Sequence, residues 1–425
     1  MTLLLFGVFI VLMFIGIPIA FSIGISSFAY LVLSGIPLII IPQKMFSGID
    51  SFVLLSIPGF VLAGNLMNTG GITQRIVNFG NALVGHLRGG LGLTCVVSCM
   101  IFAGISGTAL AEVACIGAIM IPAMVKAGYP DDFSSALTAS ASTMGPIIPP
   151  SVPMIIVGTL TGLSINKLFA ASAVPGLLMG FGLMIVVYII AVKRNFPKVK
   201  RAPLKEIIKT FLDAIWAIGM TVLILWGILG GVFTPTEAAV VAVVYALIVG
   251  IFIYKELKIK DLPKILCESM RSTASIMILV GFASLFAWIL TSEQIPQLIA
   301  TSILSISSNK YVILILINIL LLFVGCFMET ISALIILFPV LLKLAVGVGV
   351  DPIQFAVIVV LNLVIGLTTP PLGICLFVAQ SIGKVTMAKM VRAILPFLAL
   401  SLGVLMLVTF VPEVTLFLPR LLYGK

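Results

Sequence analysis

Thr143-Met144-Gly145-Pro146-Ile147-Ile148-Pro149-Pro150 and, further along, Gly366-Leu367-Thr368-Thr369-Pro370-Pro371 each place two adjacent prolines inside a long uncharged run. Proline lacks a backbone N–H, and its ring clashes with the carbonyl one turn earlier, so a regular α-helix cannot run through either stretch. The surrounding residues 133–166 and 352–383 contain no Asp, Glu, Lys or Arg. Each run is long enough to lie in a bilayer, whose core takes about 20 apolar residues of helix. A break at that depth leaves carbonyls without partners and is tolerated only where something polar meets them. Paired broken helices in two halves of a membrane chain point to the ion and substrate site of a carrier.

Composition supports the membrane reading. The 425 residues are 61% hydrophobic and 9% charged, with a mean hydropathy of +1.32, whereas a soluble domain carries about 25% charged residues. Charge is also missing from residues 1–43, 89–111, 168–192, 214–236, 272–292 and 393–412. These runs allow ten to fourteen membrane segments and leave no room for a soluble domain. The first 43 residues lack a basic leader and an A-x-A-like cleavage site, so they read as two membrane helices separated near Gly16-Ile17-Pro18.

The net charge of +10 reports topology rather than affinity for nucleic acid. Lys193, Arg194, Lys198, Lys200, Arg201, Lys205 and Lys209 crowd one short loop, and short basic loops stay in the cytoplasm. Alternating sides from there puts Arg75, Arg88, Lys126, Lys255, Lys258, Lys260, Lys264, Arg271, Lys384, Lys389 and Arg392 inside as well. Lys44, Lys167, Lys310, Lys343, Arg420 and Lys425 remain outside, and both termini face outward.

The two halves repeat. Pro150 and Pro175 are 25 residues apart, as are Pro371 and Pro396. Each half carries a helix, a small or polar cluster, a helix with a proline (Pro122, Pro339), an aspartate-bearing loop (Tyr129-Pro130-Asp131-Asp132; Val350-Asp351-Pro352), the break and a long helix. The clusters are Ala103-Gly104-Ile105-Ser106-Gly107-Thr108 and Val324-Gly325-Cys326-Phe327-Met328-Glu329-Thr330. Residues 89–125 are too long for one helix and too apolar for a loop. They read as a re-entrant hairpin turning at Gly104–Gly107, where glycine supplies backbone freedom. A second hairpin, at about 311–346, opens to the opposite side. The alternative is a small-residue packing face on an ordinary helix. The fold class is therefore an all-α polytopic membrane protein with inverted repeats, two re-entrant hairpins and two broken helices.

Two tips and two breaks should converge at mid-membrane. They bring free carbonyls, helix N-termini and the hydroxyls of Ser106, Thr108, Thr143, Thr330, Thr368 and Thr369. Uncharged oxygen donors suit Na⁺, and helix N-termini suit a carboxylate. Three acids lie at membrane depth, where an ionisable side chain is a functional candidate. Glu112 either caps or braces the first hairpin, or acts in the site. Glu237 follows Thr234-Pro235-Thr236 and reads as a capping residue. Glu329, beside the second tip, is the best candidate for direct electrostatics. Candidate contacts for an organic acid are Ser106, Thr108, Thr143, Pro150, Glu329, Thr330 and Thr368. Cys95, Cys99, Cys115, Cys267, Cys326 and Cys375 show no metal-ligand spacing and read mostly as small packing residues, and His86 reads as a surface residue. There is no GxxxxGK[ST] loop and hence no ATPase of the chain's own. Neither HExxH, GxSxG nor a Cys/His cluster occurs, so the chain reads as no enzyme.

Gly231-Val232-Phe233-Thr234-Pro235-Thr236-Glu237-Ala238-Ala239, Ile57-Pro58-Gly59-Phe60, Gly104-Ile105-Ser106-Gly107 and the two Pro-Pro breaks resemble the large membrane subunit of tripartite ATP-independent periplasmic (TRAP) transporters. The likeness spans essentially the whole chain and is similar in kind to the sialic-acid members. It implies an elevator-type carrier in the inner membrane of a Gram-negative bacterium. It also implies Na⁺ coupling, a separate small four-helix membrane subunit and a periplasmic substrate-binding protein. By the same resemblance, one Na⁺ site involves Ser106, Gly107, Gly145 and Pro149, and a second Gly325, Met328, Gly366 and Thr369. The implied division is a scaffold of residues 1–88 and 193–306 and a transport body of residues 89–192 and 307–425. A stand-alone sodium–dicarboxylate symporter of similar build is the alternative. A polytopic membrane enzyme ranks behind both, because no convergent acid, base or metal set occurs.

The orientation is directly testable. A cysteine replacing Lys205 in a cysteine-free background should react with a membrane-impermeant maleimide only from the cytoplasmic side. Labelling from outside intact cells would invert the topology.

Overall fold

A computed structural model describes residues 2–196, 201–294, 309–370 and 373–424. Pro371, Lys198, Lys200, Lys425 and the expected domain boundary at 306/307 lie outside the described residues. Among the described residues there are nineteen α-helices and no strand. The first five are α1 (Thr2–Phe14), α2 (Ile19–Leu33), α3 (Ile40–Ile49), α4 (Ser56–Thr69) and α5 (Ile72–Val84). The first repeat holds α6 (Gly90–Ser106), α7 (Ala109–Lys126), α8 (Asp131–Ala141), α9 (Val152–Thr161) and α10 (Ile165–Lys193). Between the repeats run α11 (Leu204–Leu229), α12 (Pro235–Ile248) and α13 (Leu262–Ser292). The second repeat holds α14 (Lys310–Phe327), α15 (Thr330–Gly347), α16 (Pro352–Gly366), α17 (Ile374–Gly383) and α18 (Met387–Phe410), followed by α19 (Glu413–Tyr423).

Nine helical spans among the described residues are long and apolar enough to cross a membrane. Five shorter apolar helices lie within α2, α6, α9, α16 and α17. Four of those five flank a hairpin tip or a break, which is why they are short. The N-terminal pair differs from expectation in length. α1 has 13 residues and α2 has 15, less than a full crossing needs. Gly16, at φ +90°, and Pro18, the α2 N-cap, take up the chain between them.

α10 serves as a ruler for depth, because an α-helix rises 1.5 Å per residue. Near its start, Lys167 lines a pocket with Asp351 and Arg420, and Lys310 Nζ donates to Gly349 O at 3.0 Å. The base of the α14–α15 hairpin is therefore at that end. About 30 Å further along, Val187 and Ala191 abut Gly92 and Gly89, at the base of the α6–α7 hairpin. Phe196 joins Tyr129 and Phe133 there, with ring centroids at 4.6 and 5.0 Å. Midway, Gly176 receives Ile147 and Ile148 of the first break. The two hairpins thus enter from opposite ends, and the first break lies at middle depth.

Each break is visible as an interrupted helix. α8 ends at Ala141, a 3₁₀ turn covers Ser142–Met144, and helix resumes at Val152. α16 ends at Gly366, and α17 resumes at Ile374. The first tip lies later than expected. α6 continues through Ser106, and the turn is Gly107 (φ +61°) and extended Thr108. Gly104 is helical instead; its missing Cβ admits Thr221 of α11, whose Cγ2 would be 2.2 Å away. Close helix packing, not a turn, claims that glycine.

α2, α3 and α4 pack on α13, and α12 packs on α4. At one end Arg75 of α5 pairs with Glu256 at 2.7 Å and stacks over Tyr254 at 3.8 Å. Tyr254 Oη in turn donates to Asp213 O of α11 at 2.7 Å. Elsewhere α14 crosses α16, and α17 and α18 pack on α8. A buried amide ladder joins three helices there: Asn362 Nδ2 donates to Asn318 Oδ1 at 2.8 Å and Asn318 Nδ2 to Thr409 Oγ1 at 3.1 Å. Such bonds between membrane helices average ~0.6 kcal/mol each, so the ladder sets register more than it sets stability.

The α14–α16 crossing is the tightest backbone approach at the second break. A Cβ on Gly366 would stand 2.5 Å from Gly325 C and 2.8 Å from Gly325 O, and backbone cannot yield as a side-chain tip would. Gly366→Ala should lower stability by about 1–3 kcal/mol in a thermal melt. Gly347→Ala, with open space around the new methyl, should leave the melt unchanged.

Candidate functional site

Both tips and both breaks border one cavity of about 400 Å³. Gly107, Thr108, Ala109 and Leu110 come from the first tip, and Pro146 and Pro153 from the first break. Glu329, Thr330, Ile331 and Ser332 come from the second tip, and Leu367 from the second break. The far wall belongs to α2 (Ala20) and α13 (Ser272, Ser275, Ile276, Leu279). A second cavity of about 130 Å³ shares Thr108, Ser272 and Ile276 with it and adds Asn65, Asn68 and Ser106. A polar seam therefore continues from the central cavity between hairpin α6–α7 and the helices α4 and α13.

The described lining of the main cavity includes no Lys, Arg or His. An anion there must be held by hydroxyls and by helix N-termini, whose first N–H groups carry partial positive charge. The two N-termini at the tips are not equivalent. Thr108 makes no side-chain cap for α7, whose first residues Ala109 and Leu110 line the cavity. Glu329 caps α15: its Oε2 accepts from Ile331 N at 2.9 Å and Ser332 N at 3.2 Å. Thr330 is 2% exposed, and its Oγ1 has no hydrogen-bond partner.

The first tip and first break meet through oxygen. Ser106 Oγ donates to Thr108 O at 3.3 Å. A Cβ on Gly107 would stand 3.0 Å from Pro150 O, and one on Gly145 would stand 3.1 Å from Thr108 O. Behind them Glu112, in the first turn of α7, is 0% exposed, and neither carboxyl oxygen has a hydrogen-bond partner. Its nearest hydrogen-bearing neighbours are the Cys99 thiol of α6 and the Gly145 N–H of the break, so it sits between hairpin and break without a close hydrogen bond to either. Glu237, by contrast, completes a capping box: Thr234 N donates to Glu237 Oε2 at 2.8 Å, and Glu237 N donates to Thr234 Oγ1 at 3.3 Å. At the second tip, Gly373 N donates to Cys326 O at 3.3 Å and ties the hairpin to its break.

The structure separates the sequence-derived candidates into groups. Thr108, Glu329 and Thr330 line the main cavity together with Gly107, and Ser106 lines the adjoining one. Thr143, Pro150 and Thr368 do not line either cavity. Thr143 Oγ1 donates back to Ser140 O at 2.6 Å, and Thr368 Oγ1 to Ile365 O at 2.9 Å, the usual recourse of a threonine in an apolar helix. Thr369 Oγ1 does the same toward Ile365 O at 2.9 Å. A hydroxyl that donates its hydrogen still presents lone pairs to a cation. Gly145 and Pro149 stand in the first break, and Gly325, Met328 and Gly366 at the second tip and break. Among the described residues no group of three His, Cys, Asp or Glu could hold a metal ion.

Sequence reasoning missed Ser272, Ser275, Ser332 and Pro146. Ser269, Ser272 and Ser275 recur at three-residue spacing where α13 passes from its charged start (Lys264, Glu268, Arg271) into an apolar run, and that polar stripe was the available signal. Cys95, Cys99, Cys326 and Cys375 are buried as packing residues are, Cys115 is half-buried, and Cys267 is exposed and departs from that reading. His86 is half-buried, one step inward from the surface position expected of it.

The architecture is that of known membrane transporters. It resembles the Alcanivorax borkumensis YdaH transporter with a TM-score of 0.60 at 16% identity, covering 87% of this chain and 86% of that one. Neisseria gonorrhoeae MtrF gives 0.60 at 13%, covering 88% and 83%. At such identities the likeness concerns the fold alone. Sequence comparison then identifies the family: residues 6–414 match the DctM component of the tripartite ATP-independent periplasmic transporters, and the chain belongs to that family. It is 42% identical to the sialic acid TRAP transporter large permease protein SiaM of Vibrio cholerae, covering 97% of each chain. It is also 42% identical to the C4-dicarboxylate large permease DctM of Pseudomonas aeruginosa, covering 89% of this chain and 88% of that one. The isethionate permease DctMQ of Oleidesulfovibrio alaskensis is 40% identical, over 97% of this chain and 65% of the longer relative. The chain is thus a polytopic transporter subunit, a large TRAP permease, and not an enzyme.

Proposed function

We propose that this permease imports an organic carboxylate together with Na⁺ across a bacterial inner membrane. The observation that carries the reading is the single cavity shared by both tips, both breaks and α13. Residues 89–192 and 307–425 supply the mobile body that carries the cargo, and residues 1–88 and 193–306 the scaffold it slides against. The site is bordered on one side by each group, as a body moving past a wall requires. The uncapped N-terminus of α7 receives the carboxylate, and Thr108, Thr330, Ser272 and Ser275 offer hydroxyls to the rest of the solute. Na⁺, the coupled cargo, sits where Ser106, Gly107, Gly145 and Pro149 approach one another, and again among Gly325, Met328, Gly366 and Thr369.

The solute is narrowed by chemistry rather than by likeness, since the relatives act on sialic acid, C4-dicarboxylate and isethionate. A cavity with several hydroxyls and one acid favours a carboxylate rich in hydroxyl and amide groups, and sialic acid is the leading candidate. A small membrane subunit and a periplasmic binding protein complete the transporter. The first is fused to the permease in some relatives, as the DctMQ name indicates.

In proteoliposomes holding the permease and its small subunit, uptake should require both an inward Na⁺ gradient and the binding protein. Robust uptake by the purified chain alone would favour the stand-alone symporter. Ser106→Ala and Thr369→Ala should each weaken Na⁺ activation by about tenfold, the worth of roughly 1.4 kcal/mol, without lowering the melting temperature. Unaltered Na⁺ activation in both would remove these residues from the cation sites.

A further inference from the structure

The fully buried acid of the first hairpin is the group that the carrier reading does not yet use. Glu112 is 0% exposed, neither carboxyl oxygen makes a close hydrogen bond, and the donors beside it, the Cys99 thiol and the Gly145 N–H, are both neutral. Its Oε2 lies against the α-carbon of Gly145, where an added Cβ would be 2.3 Å away. The Gly145 N–H, close by, is already given to Ser142 O at 3.2 Å. The titratable side chains that feel Glu112 are Cys95, Cys99, Cys115 and Cys375, and none of them brings positive charge. Thr108 O borders the same glycine and accepts from Ser106 Oγ and from the Glu112 N–H.

A carboxylate taken out of water without a counter-ion is among the costliest groups a protein can bury, and it keeps its charge only when a cation joins it. Here it shares the space beside Gly145 with the carbonyl oxygen of Thr108, and no cationic side chain acts on it. The second repeat has nothing equivalent. The first tip and break match the second at an offset of 221 residues (Gly104 and Gly325, Gly145 and Gly366, Pro150 and Pro371), and on that offset the counterpart of Glu112 is Ala333. The acid at the second tip, Glu329, is already engaged with two amides of α15.

We infer that Glu112 supplies the fixed negative charge of the first cation site, making it the charged site of an otherwise neutral pair. The inference rests on the carrier reading and deepens it. Backbone and hydroxyl oxygens shape the site, while Glu112, reaching in from behind the tip across Gly145, sets how tightly a small monovalent cation is held. A cation arriving between Thr108, Gly145 and Glu112 pins the first turn of α7 to the break. Ion binding and hairpin position are thereby coupled through one side chain.

The test uses the permease with its small subunit in nanodiscs and follows thermal unfolding during Na⁺ titration against choline, with no organic acid present. Glu112→Gln keeps the shape and removes the charge. Its melting temperature in choline should equal or exceed that of the parent, because without a cation the carboxyl forms no ion pair to lose. Its Na⁺ midpoint should rise by about thirtyfold or more, as expected when one member of a buried charge pair is removed. Glu112→Asp should fall between the two, and Ala333→Ser should leave the midpoint unchanged. A Glu112→Gln variant that binds Na⁺ like the parent would overturn the inference and mark Glu112 as a neutral packing acid. A lower melting temperature in choline with an unchanged Na⁺ midpoint would likewise assign it a structural role only. If Na⁺ stabilises neither parent nor variant, the carrier reading of the first site fails, and this inference fails with it.

Discussion

A backbone amide or carbonyl inside a bilayer has no water to turn to, and each one left unpaired costs several kcal/mol. The double prolines force that situation at two places, and the rest of the fold answers it. Ser151 Oγ reaches back to Pro146 O, the hydroxyls of Thr368 and Thr369 return to Ile365 O, and Gly373 N bridges to Cys326 O. Each break is further covered by the hairpin tip of its own repeat, so irregular backbone meets protein or cavity. The groups that remain after this local repair gather around the central cavity. The site is therefore a consequence of how the breaks are made tolerable at membrane depth.

The two repeats solve the same steric problem with different electrostatics. In the second, Gly325 and Gly366 let α14 and α16 touch backbone to backbone, and Glu329 spends its charge on the N-terminus of α15. In the first, Gly104 is turned toward Thr221 of α11, and the space beside Gly145 is taken by the Glu112 carboxyl. One hairpin thus presents an uncapped helix start to the cavity and the other an acid. The backbone of the two tips is symmetric while their charge is not.

Much of this was legible before any coordinates. Proline acts on the backbone wherever it occurs, so Pro149-Pro150 and Pro370-Pro371 announced the breaks, and uninterrupted apolar runs announced the membrane. Thr234-Pro235-Thr236-Glu237 announced a cap for the same reason: its chemistry is local. Features that depend on a distant partner were not legible. Gly104 and Gly107 are equivalent as sequence, and only the proximity of Thr221 decides which one turns. Thr143 and Thr368 were candidates as hydroxyls, but neighbouring carbonyls claimed them. The α13 wall went unseen because Ser272 and Ser275 gain meaning only when hairpin α6–α7 is laid against them. The state of Glu112 depends on what the break at Gly145 leaves unfilled.

The claim that irregular backbone at mid-depth forms a cation and organic-acid site is tested most directly by an experimental density map. The complex would be imaged in nanodiscs with Na⁺ and sialic acid, and again with both replaced by choline chloride. The account predicts both breaks and both tips at the bilayer midplane. It predicts ordered density between the tips, Thr108 and Glu329 in the first map, and none in the second. A map showing α16 and α17 as one continuous helix, or acyl chains filling the space between the tips, would contradict it.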